Sequence, residues 1–368
     1  MGKSEISKNI TQKDTVQKDI KRKKTLRPES KQSRPNNIDI TVTQEYFNKK
    51  NNYKSSELCL KFGGKDCNFK ILSTLRRACQ NNVPTYAFNF QNIEIQENTS
   101  VAFNNDYMKL RLSQLPIFNV KSDLFFLHPK YWKNINFAEL TREKHPDEKN
   151  IKIYINSHNN SNEVKPITTK DIKVYIEDTQ VEMYDPSSPI LIILLKPNQT
   201  FKCVMTSSLS VGDMHATYCA CSNAWATYDN QIKDNGDTIF KEGNLFLKSR
   251  GGQSEYDILK HACEYLIKKF EEIKIEIERK VKEKEIDSDL NILILVLDDE
   301  EHTIGEMLNY ELQDRAVFSA VAKPDHNIRS IVLKIETDGK KKPHDIIKET
   351  CDVLKDKFEA IIQKLKNN

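Results

Sequence analysis

Two small clusters contain the residue types that most often bind metals or activate water. His215 lies four residues before Cys219, and Cys221 follows at a C-x-C spacing. Histidine and cysteine bind zinc in deaminases, but those enzymes also need an H-x-E sequence and a later P-C-x-x-C. Both sequences are missing, which argues against a deaminase. The eight cysteines are irregularly spread, so we expect reduced thiols.

The acidic run at residues 298–301 could coordinate magnesium, but acidic residues are favoured at a helix N-terminus in any case. Thr303 is followed three residues later by Glu306, a spacing that predicts a capping box at the start of a helix. The chain has no Walker loop, GxGxxG or G-x-S-x-G sequence. We therefore predict no catalytic residue, no cofactor and no bound metal.

Length and charge limit which other classes of protein the chain can belong to. The 368 residues can form two or three domains, and no run of about 18 apolar residues predicts a membrane span. The net charge is +4, but residues 1–34 alone carry eleven Lys or Arg against four Asp or Glu. The rest of the chain is therefore slightly negative. This balance does not predict a uniformly basic nucleic-acid groove.

The N-terminal segment, residues 1–37, lacks apolar periodicity, and we predict a disordered basic tail. Its cluster at residues 21–24 could be a nuclear-import signal, a phosphate-binding arm or a solubilising feature. A stand-alone nucleic-acid-binding protein that acts through this tail is the alternative function.

The remaining chain repeats one plan at its two ends: a strand, a helix, two strands and a long helix. The first long helix is predicted at residues 254–286, where Lys and Glu on the other faces indicate a solvated surface. The second begins near Pro343. Between the two copies, residues 119–200 alternate in short apolar pieces and predict an inserted β-rich domain, after which the first module resumes near Phe201.

The helices carry apolar stripes too wide for one short sheet to cover, so we expect the two modules to pair within the chain. The residues predicted to pack the short helices of the two modules together are Ile71, Leu72, Leu75, Ile304, Met307 and Leu308. Those predicted to pack the C-terminal helix are Ile347, Leu354, Phe358 and Ile361. Tethering favours such pairing because it raises the local concentration of each module.

Motifs in the first half resemble the alpha-type subunits of multisubunit RNA polymerases: bacterial alpha, archaeal D and the third-largest eukaryotic subunit. They are LRR at residues 75–77, VPT at 83–85 and IEIQENTS at 93–100. Residues 107–116 fit an H-R-L-x-x-x-P helix in which the usual His is replaced. Residues 212–218, GDMHATY, are similar to the family's G-x-x-H-A-K-W segment.

The C-terminal module resembles the small partner of those subunits, the archaeal L type. Residues 301–308, EHTIGEML, are close to E-D-H-T-L-G-N-L-L, and residues 322–326, AKPDH, are similar to a Y-K-x-P-H-P turn. The resemblance covers about residues 38–366. It implies an α+β fold with two paired alpha-N-terminal-type dimerisation modules in one chain and a β-rich insertion in the first.

On this resemblance the alpha-like module comprises residues 38–118 and 201–286, the inserted domain residues 119–200, and the L-like module residues 287–368. The implied function is a non-catalytic assembly subunit that docks the two large catalytic subunits. The implied partners are the largest and second-largest polymerase subunits and small zinc-bearing assembly subunits. DNA would be bound only through the complex, with no membrane contact and no need for a homo-oligomer.

Two further expectations come from the resemblance. Arg76 and Arg77 occupy the positions at which the alpha-type subunit meets the second-largest subunit, and a guanidinium suits such an interface. Residues 119–202 contain no cysteine, unlike relatives with a metal site in this domain, so we predict no zinc or iron–sulfur cluster.

The fusion of two subunit types in one chain and the bias toward Asn, Lys and Ile resemble proteins of large cytoplasmic DNA viruses. That origin implies the host-cell cytoplasm, a viral factory or the virion, with the nucleus as an alternative.

Overall fold

The computed structural model describes residues 37–47, 56–125, 131, 145–232, 238–283 and 290–366. The predicted tail lies outside these residues apart from Asn37, and so do residues 284–289. Within the described ranges the chain is a mixed α+β structure, which confirms the predicted fold class.

The described residues form fourteen strands, five α-helices and one 3-10 turn. In chain order they are β1 (Asp39–Phe47), β2 (Ser56–Gly63), α1 (Phe69–Asn81), β3 (Thr85–Asn98), α2 (Asn105–Ser113), β4 (Ile151–His158), β5 (Lys165–Thr168), β6 (Ile172–Ile176), β7 (Thr179–Val181), β8 (Leu191–Leu195), β9 (Thr200–Ser210), the 3-10 turn (Ala216–Tyr218), β10 (Cys221–Ile232), β11 (Thr238–Ser249), α3 (Glu255–Lys282), β12 (Ile292–Asp298), α4 (His302–Leu312), β13 (Phe318–Ala322), β14 (Ser330–Glu336) and α5 (Pro343–Lys366).

Helix starts follow local capping chemistry. The Asn68 side chain accepts a hydrogen bond from the Ile71 backbone N–H at 2.9 Å and begins α1. Ser254 accepts from the Asp257 backbone N–H at 3.1 Å and begins α3. Each bond satisfies a backbone donor that has no partner within the helix, which is why Asn and Ser are favoured at this position.

The predicted capping box of α4 is wrong. The helix begins at His302 with Glu301 as its N-cap, and no side-chain hydrogen bond caps it. Thr303 therefore lies inside the first turn, not before it. Its hydroxyl accepts a hydrogen bond from Arg77 of α1 instead.

The two modules have sheets with the same strand order. The first module, residues 37–83 and 212–283, forms a sheet in the order β1-β2-β11-β10. The second module, residues 290–366, forms a sheet in the order β12-β14-β13. The order β2-β11-β10 therefore matches β12-β14-β13, and β2 and β12 each lead into a short helix. β1 has no counterpart among the described strands of the second module.

The insert, residues 84–211, has a five-stranded sheet in the order β3-β9-β4-β6-β7 and a two-stranded sheet of β5 and β8. Its core runs from Tyr86 to Val211 and is separate from the core of the modules. This core extends further in both directions than the predicted 119–200. The reason is that β3 and β9, which we had placed in the first module, pair with each other and with β4.

One continuous hydrophobic core joins the two modules. It includes apolar side chains from α1, α3, α4 and α5 and from both sheets. The core thus lies between the modules as well as inside each of them. Among the described residues, no helix has a stretch long and apolar enough to cross a lipid bilayer.

Candidate inter-module interface

The short helices α1 and α4 meet where the two modules join. Six apolar side chains of these two helices are at most 4% exposed: Ile71, Leu72, Leu75, Ile304, Met307 and Leu308. All six belong to the shared core. The structure therefore brings together the residues that the sequence assigned to the packing of these helices.

Aromatic and charged side chains at the ends of these helices connect them directly. The Phe69 and Tyr310 rings meet edge to face with centroids 5.7 Å apart, a favoured aromatic geometry. The Lys70 ammonium lies 3.0 Å from the Glu306 carboxylate. Both pairs join α1 to α4, so their contribution depends on the two modules remaining together.

Gly305 allows α4 to lie close to its own sheet. A Cβ atom at this position would lie 2.6 Å from Ile331 Cδ1 and 2.7 Å from Val321 Cγ2, closer than real carbon contacts allow. A side chain here would require Ile331 and Val321 to shift, or α4 to move away from β13 and β14. The glycine within residues 301–308 is thus explained by packing and needs no catalytic role.

The long helices α3 and α5 form the second helix pair of the interface. The rings of Phe270 and Phe358 stack with an interplanar angle of 9° and centroids 6.2 Å apart. The Lys274 and Asp352 side chains approach to 2.6 Å, and those of Lys355 and Glu271 to 2.9 Å. The four residues predicted to pack the C-terminal helix are all fully buried: Ile347, Leu354, Phe358 and Ile361.

A buried ion pair crosses the interface. The Lys269 ammonium of α3 lies 2.6 Å from the Glu300 carboxylate just before α4, and these side chains are only 4% and 9% exposed. Burial raises the pKa of Glu300, and the neighbouring Lys269 opposes that rise. A buried charge of this kind is costly without its partner.

A second buried lysine lies near the other end of α4. The Lys357 ammonium of α5 is 2.5 Å from the Glu311 carboxylate, with side chains 7% and 10% exposed. Asn68, the N-cap of α1, donates to the same carboxylate at 3.4 Å. The acceptor shared by these two donors therefore links the second module to the first.

The segment that leaves the insert is tied to the second module by a further ion pair. The Arg329 guanidinium, in the connection between β13 and β14, lies 2.5 Å from the Asp213 carboxylate. The Asp213 backbone N–H also donates to the Asn81 carbonyl at the end of α1, at 2.8 Å. The 212–218 motif thus contacts both modules.

The two arginines of α1 have different surroundings. Arg77 is exposed and donates from Nη1 to the Thr303 hydroxyl at 3.1 Å, so it takes part in the contact between modules. Arg76 is half-buried, and its side chain has no ion pair with any residue that the structure describes. Sequence reasoning did not find the Arg77–Thr303 contact because the two residues lie 226 positions apart.

The surroundings of the cysteines and of His215 are set by burial and by local hydrogen bonds. Burial raises the pKa of Cys221 to about 12 and that of Cys79 well above its usual value. His215 instead accepts a hydrogen bond from the Thr217 backbone N–H at 3.2 Å. In the described ranges, no group of three or more His, Cys, Asp or Glu side chains is arranged to hold a metal ion.

Comparison with known proteins identifies the family. A family model described as the RNA polymerase Rpb3/Rpb11 dimerisation domain matches residues 293–364, which comprise most of the second module. DNA-directed RNA polymerase subunit Rpo11 of Sulfurisphaera tokodaii is 35% identical over 73 residues, which are 19% of this chain and 78% of that protein. This chain belongs to the Rpb3/Rpb11 dimerisation-domain family. The resemblance to polymerase subunits is thereby confirmed.

A second relative extends the similarity beyond the second module. A protein of Acanthamoeba polyphaga mimivirus, named provisionally as a DNA-directed RNA polymerase subunit, is 25% identical over 283 residues. The match covers 70% of this chain and 74% of the mimivirus protein. An aligned length of this size cannot fit within the second module alone, so it includes other parts of the chain.

Proposed function

We propose that this chain is a non-catalytic assembly subunit of a multisubunit DNA-directed RNA polymerase. In this proposal the two modules form an intramolecular heterodimer, and the heterodimer docks the two large catalytic subunits. The observation that carries the proposal is the continuous core between the modules, which buries α1, α3, α4 and α5 together. A platform of this kind needs rigidity and exposed docking surfaces, not a catalytic centre.

The proposed partners are the largest and second-largest polymerase subunits together with small zinc-bearing assembly subunits. DNA would be contacted only through the assembled complex, and neither a membrane nor a second copy of the chain is required. The viral relative supports a site of action in the host-cell cytoplasm, a viral factory or the virion. The nucleus is the alternative compartment.

Arg76 and Arg77 are the proposed docking residues for the second-largest subunit. Arg76 is the better candidate because its guanidinium has no ion pair among the described residues, whereas Arg77 also binds Thr303. A guanidinium can bind a carboxylate through two parallel hydrogen bonds, which a lysine cannot do. Substitutions at Arg76 and at Arg77 can therefore distinguish an effect on docking from an effect on the pairing of the modules.

The first experiment is affinity purification of the tagged full-length chain from its native source, with the stoichiometry of bound proteins measured by mass spectrometry. Two very large polypeptides in equal amounts are the expected result. Recovery of the chain alone at low salt would contradict the proposal. Salt-sensitive DNA binding that disappears on removal of residues 1–34 would then favour the stand-alone nucleic-acid-binding function.

A second experiment tests the docking residue. Arg76→Ala should leave the melting temperature nearly unchanged, because the side chain has no ion pair within the described chain, and should reduce recovery of the second-largest subunit by about tenfold or more. Arg76→Lys should restore little of it. Lys340→Ala, at a side chain that is 80% exposed, is the matched control and should have no effect. Normal recovery with Arg76→Ala would exclude this residue from docking.

A further inference from the structure

The insert and the paired modules have separate hydrophobic cores. The core of the insert runs from Tyr86 to Val211, and the core between the modules takes no buried side chain from the described residues in the range 84–219. Domains with separate cores can move relative to each other unless other contacts hold them. Polar contacts of this kind lie in the exit segment, residues 212–218, which leads from the insert back into the first module.

Short-range hydrogen bonds fold the exit segment into consecutive tight turns. The Met214 N–H donates to the Val211 carbonyl at 3.0 Å, and the Tyr218 N–H donates to the His215 carbonyl at 2.9 Å. Between them, the Thr217 N–H donates to the ring nitrogen Nδ1 of His215 at 3.2 Å. A backbone bonded in this way has lost most of its conformational freedom. A restraint on one end of the exit segment therefore also restricts the other end.

The first module supports the exit segment from two elements. A Cβ atom at Gly212 would lie 2.5 Å from the Gln80 carbonyl oxygen in the last turn of α1, so glycine is needed for this close approach. The Arg250 guanidinium, just after β11, donates to the Thr217 carbonyl at 2.8 Å. These contacts keep the exit segment close to α1 and β11.

The C-terminal end of the exit segment is bonded to the insert. Tyr218 is only 1% exposed, and its hydroxyl shares a hydrogen bond of 2.7 Å with the Ser208 hydroxyl of β9. The side-chain amide of Asn89 in β3 donates to the same Tyr218 hydroxyl at 3.3 Å. β3 and β9 are neighbouring strands of the five-stranded sheet. Tyr218 therefore connects the exit segment to the sheet of the insert.

The N-terminal end of the exit segment is bonded to the second module. The side chains of Arg329 and Asp213 form the ion pair described above and are only 28% and 25% exposed. The backbone of Arg329 is fixed within the second module, because its carbonyl accepts a hydrogen bond from the Asp299 N–H at 2.8 Å. A charge-assisted hydrogen bond is stronger than a neutral one, and partial burial reduces its screening by salt. The second module therefore restrains one end of the exit segment, while the insert is bonded to the other.

We propose that the exit segment couples the pairing of the two modules to the seating of the insert, with Arg329 as the positioning residue. When the second module packs on the first, Arg329 holds Asp213, and the restrained exit segment holds Tyr218 against β3 and β9. Without the guanidinium, the Asp213 end opens more often, and so do the bonds between Tyr218 and the insert. The second module thus stabilises the seating of the insert through residues 212–218.

This coupling goes beyond the proposed function, because it is a property of the chain by itself. It operates whether or not the chain docks the large polymerase subunits. In the proposed assembly subunit, it has the consequence that the insert is fully seated only after the modules have paired.

Hydrogen–deuterium exchange of the full-length chain, followed by mass spectrometry, tests the coupling. In Arg329→Met, amide exchange should become about tenfold faster or more at residues 212–219 and at the end of β9, residues 207–211, because a hydrogen bond to a charged group no longer opposes local opening. Residues 172–181, which form β6 and β7 at the far edge of the same sheet, should exchange at an unchanged rate. Unchanged exchange at residues 207–219 would overturn the proposal. Faster exchange confined to residues 212–214 would overturn it as well.

Lys274→Met is the matched control. The Lys274 side chain is 27% exposed, nearly the same as that of Arg329, and its ion pair with Asp352 also joins the two modules. This pair connects α3 to α5 and not to the exit segment. Exchange at residues 207–219 should therefore stay at the wild-type rate. Equal acceleration by Lys274→Met and Arg329→Met would show that Arg329 has no special role.

A double variant tests whether the coupling runs through Tyr218. Tyr218→Phe removes the hydroxyl that bonds to Ser208 and Asn89. In this background, Arg329→Met should still accelerate exchange at residues 212–214 but should no longer change it at residues 207–211. A response of β9 that persists without the hydroxyl would overturn the proposed path.

A second substitution keeps the test valid if Arg329→Met lowers the melting temperature of the whole chain. Asp213→Asn removes the charge of the other partner and preserves the shape of the side chain and its backbone bond to Asn81. It should produce the same exchange pattern, and adding Arg329→Met should have little further effect, because the two residues act as one pair. Uniform acceleration in Asp213→Asn, with residues 172–181 included, would overturn the proposal.

Discussion

The two modules share a strand order but differ in how their buried lysines are paired. The stacked Phe270 and Phe358 occupy equivalent positions on α3 and α5, and each follows a buried lysine. Lys269 of the first module reaches Glu300 of the second. Lys357 of the second module instead bonds to Glu311 on its own α4. Apolar patterning thus sets the common fold, and a few polar groups distinguish the partners.

The cause of this difference lies just before the short helices. Glu300 lies two residues before α4, and Cys67 lies two residues before α1. Burial raises the pKa of the Cys67 thiol to about 12, and the positive charge of Lys357 opposes that rise without cancelling it. A neutral thiol therefore stands where the other module has a carboxylate. Two copies of the first module would leave the buried Lys269 without Glu300 and with only the more distant Glu272 carboxylate of its own helix, at 3.5 Å, which disfavours that pairing.

The largest expected effect comes from a charge placed in the shared core. Leu308→Asp, alone or with Leu75→Asp, should destabilise the chain by several kcal/mol and separate the modules, because each side chain is fully buried. Urea denaturation and small-angle scattering would measure the two consequences. Leu110→Asp, at a side chain that is 59% exposed, is the control and should have little effect. A compact double variant would contradict the assigned packing.

Breaking the buried ion pair should have the next largest effect. Lys269→Met leaves Glu300 buried without its cation and should cost about 3–5 kcal/mol in urea denaturation. Adding Glu300→Gln should restore much of that loss, because no unpaired charge remains. Lys274→Ala is the control: its partner Asp352 is half exposed, and surface pairs contribute about 1 kcal/mol or less. Equal losses for Lys269→Met and Lys274→Ala would show that burial of the pair is unimportant.

A smaller effect should appear as pH dependence of the first module. Burial, aided by the positive charge of Lys121, lowers the pKa of His261 in α3 to about 4 from an ordinary value of 6.5. The unfolded chain therefore binds more protons between these values, and stability should fall by up to about 3 kcal/mol as pH drops from 6.5 to 4. In α5 the equivalent position, 88 residues later, is Glu349, which pairs with Lys341 at 2.9 Å.

Urea denaturation at pH 7.5 and pH 5 would measure this dependence. His261→Gln should flatten the pH dependence in that window, since glutamine does not titrate. An unchanged slope would assign the loss of stability at low pH to other groups.

Helix packing could be predicted from sequence because it repeats at short intervals. The stripe through Ile71, Leu72 and Leu75 follows a helical period, and the Asn68 side chain caps the same helix. The family motifs identified the fold class in the same way. In each case the signal lies within a few residues of the structure that it specifies.

The interface charges could not be predicted because their partners are distant in sequence. The residues around Lys269 in the sequence are of the same kinds as those around lysines that face solvent. We therefore assigned Lys269 to a solvated helix surface. The structure corrects this, since it pairs with Glu300 in the other module. The β10–β11 hairpin was missed for another reason. Its strands contain Asn, Asp and Lys on their exposed faces, which hides the alternation of apolar residues.

The position of the insert affects the order in which the chain can fold. It interrupts the first module between α1 and β10, so the strands that complete that sheet are synthesised only after the insert has been. The apolar face of α1 therefore stays partly exposed until later segments of the chain are synthesised. Strands β3 to β9, in contrast, can pair while the ribosome is still synthesising the residues that follow them. Long delays of this kind slow folding and leave apolar surface open to aggregation. The nascent chain can therefore complete the insert before it completes the first module.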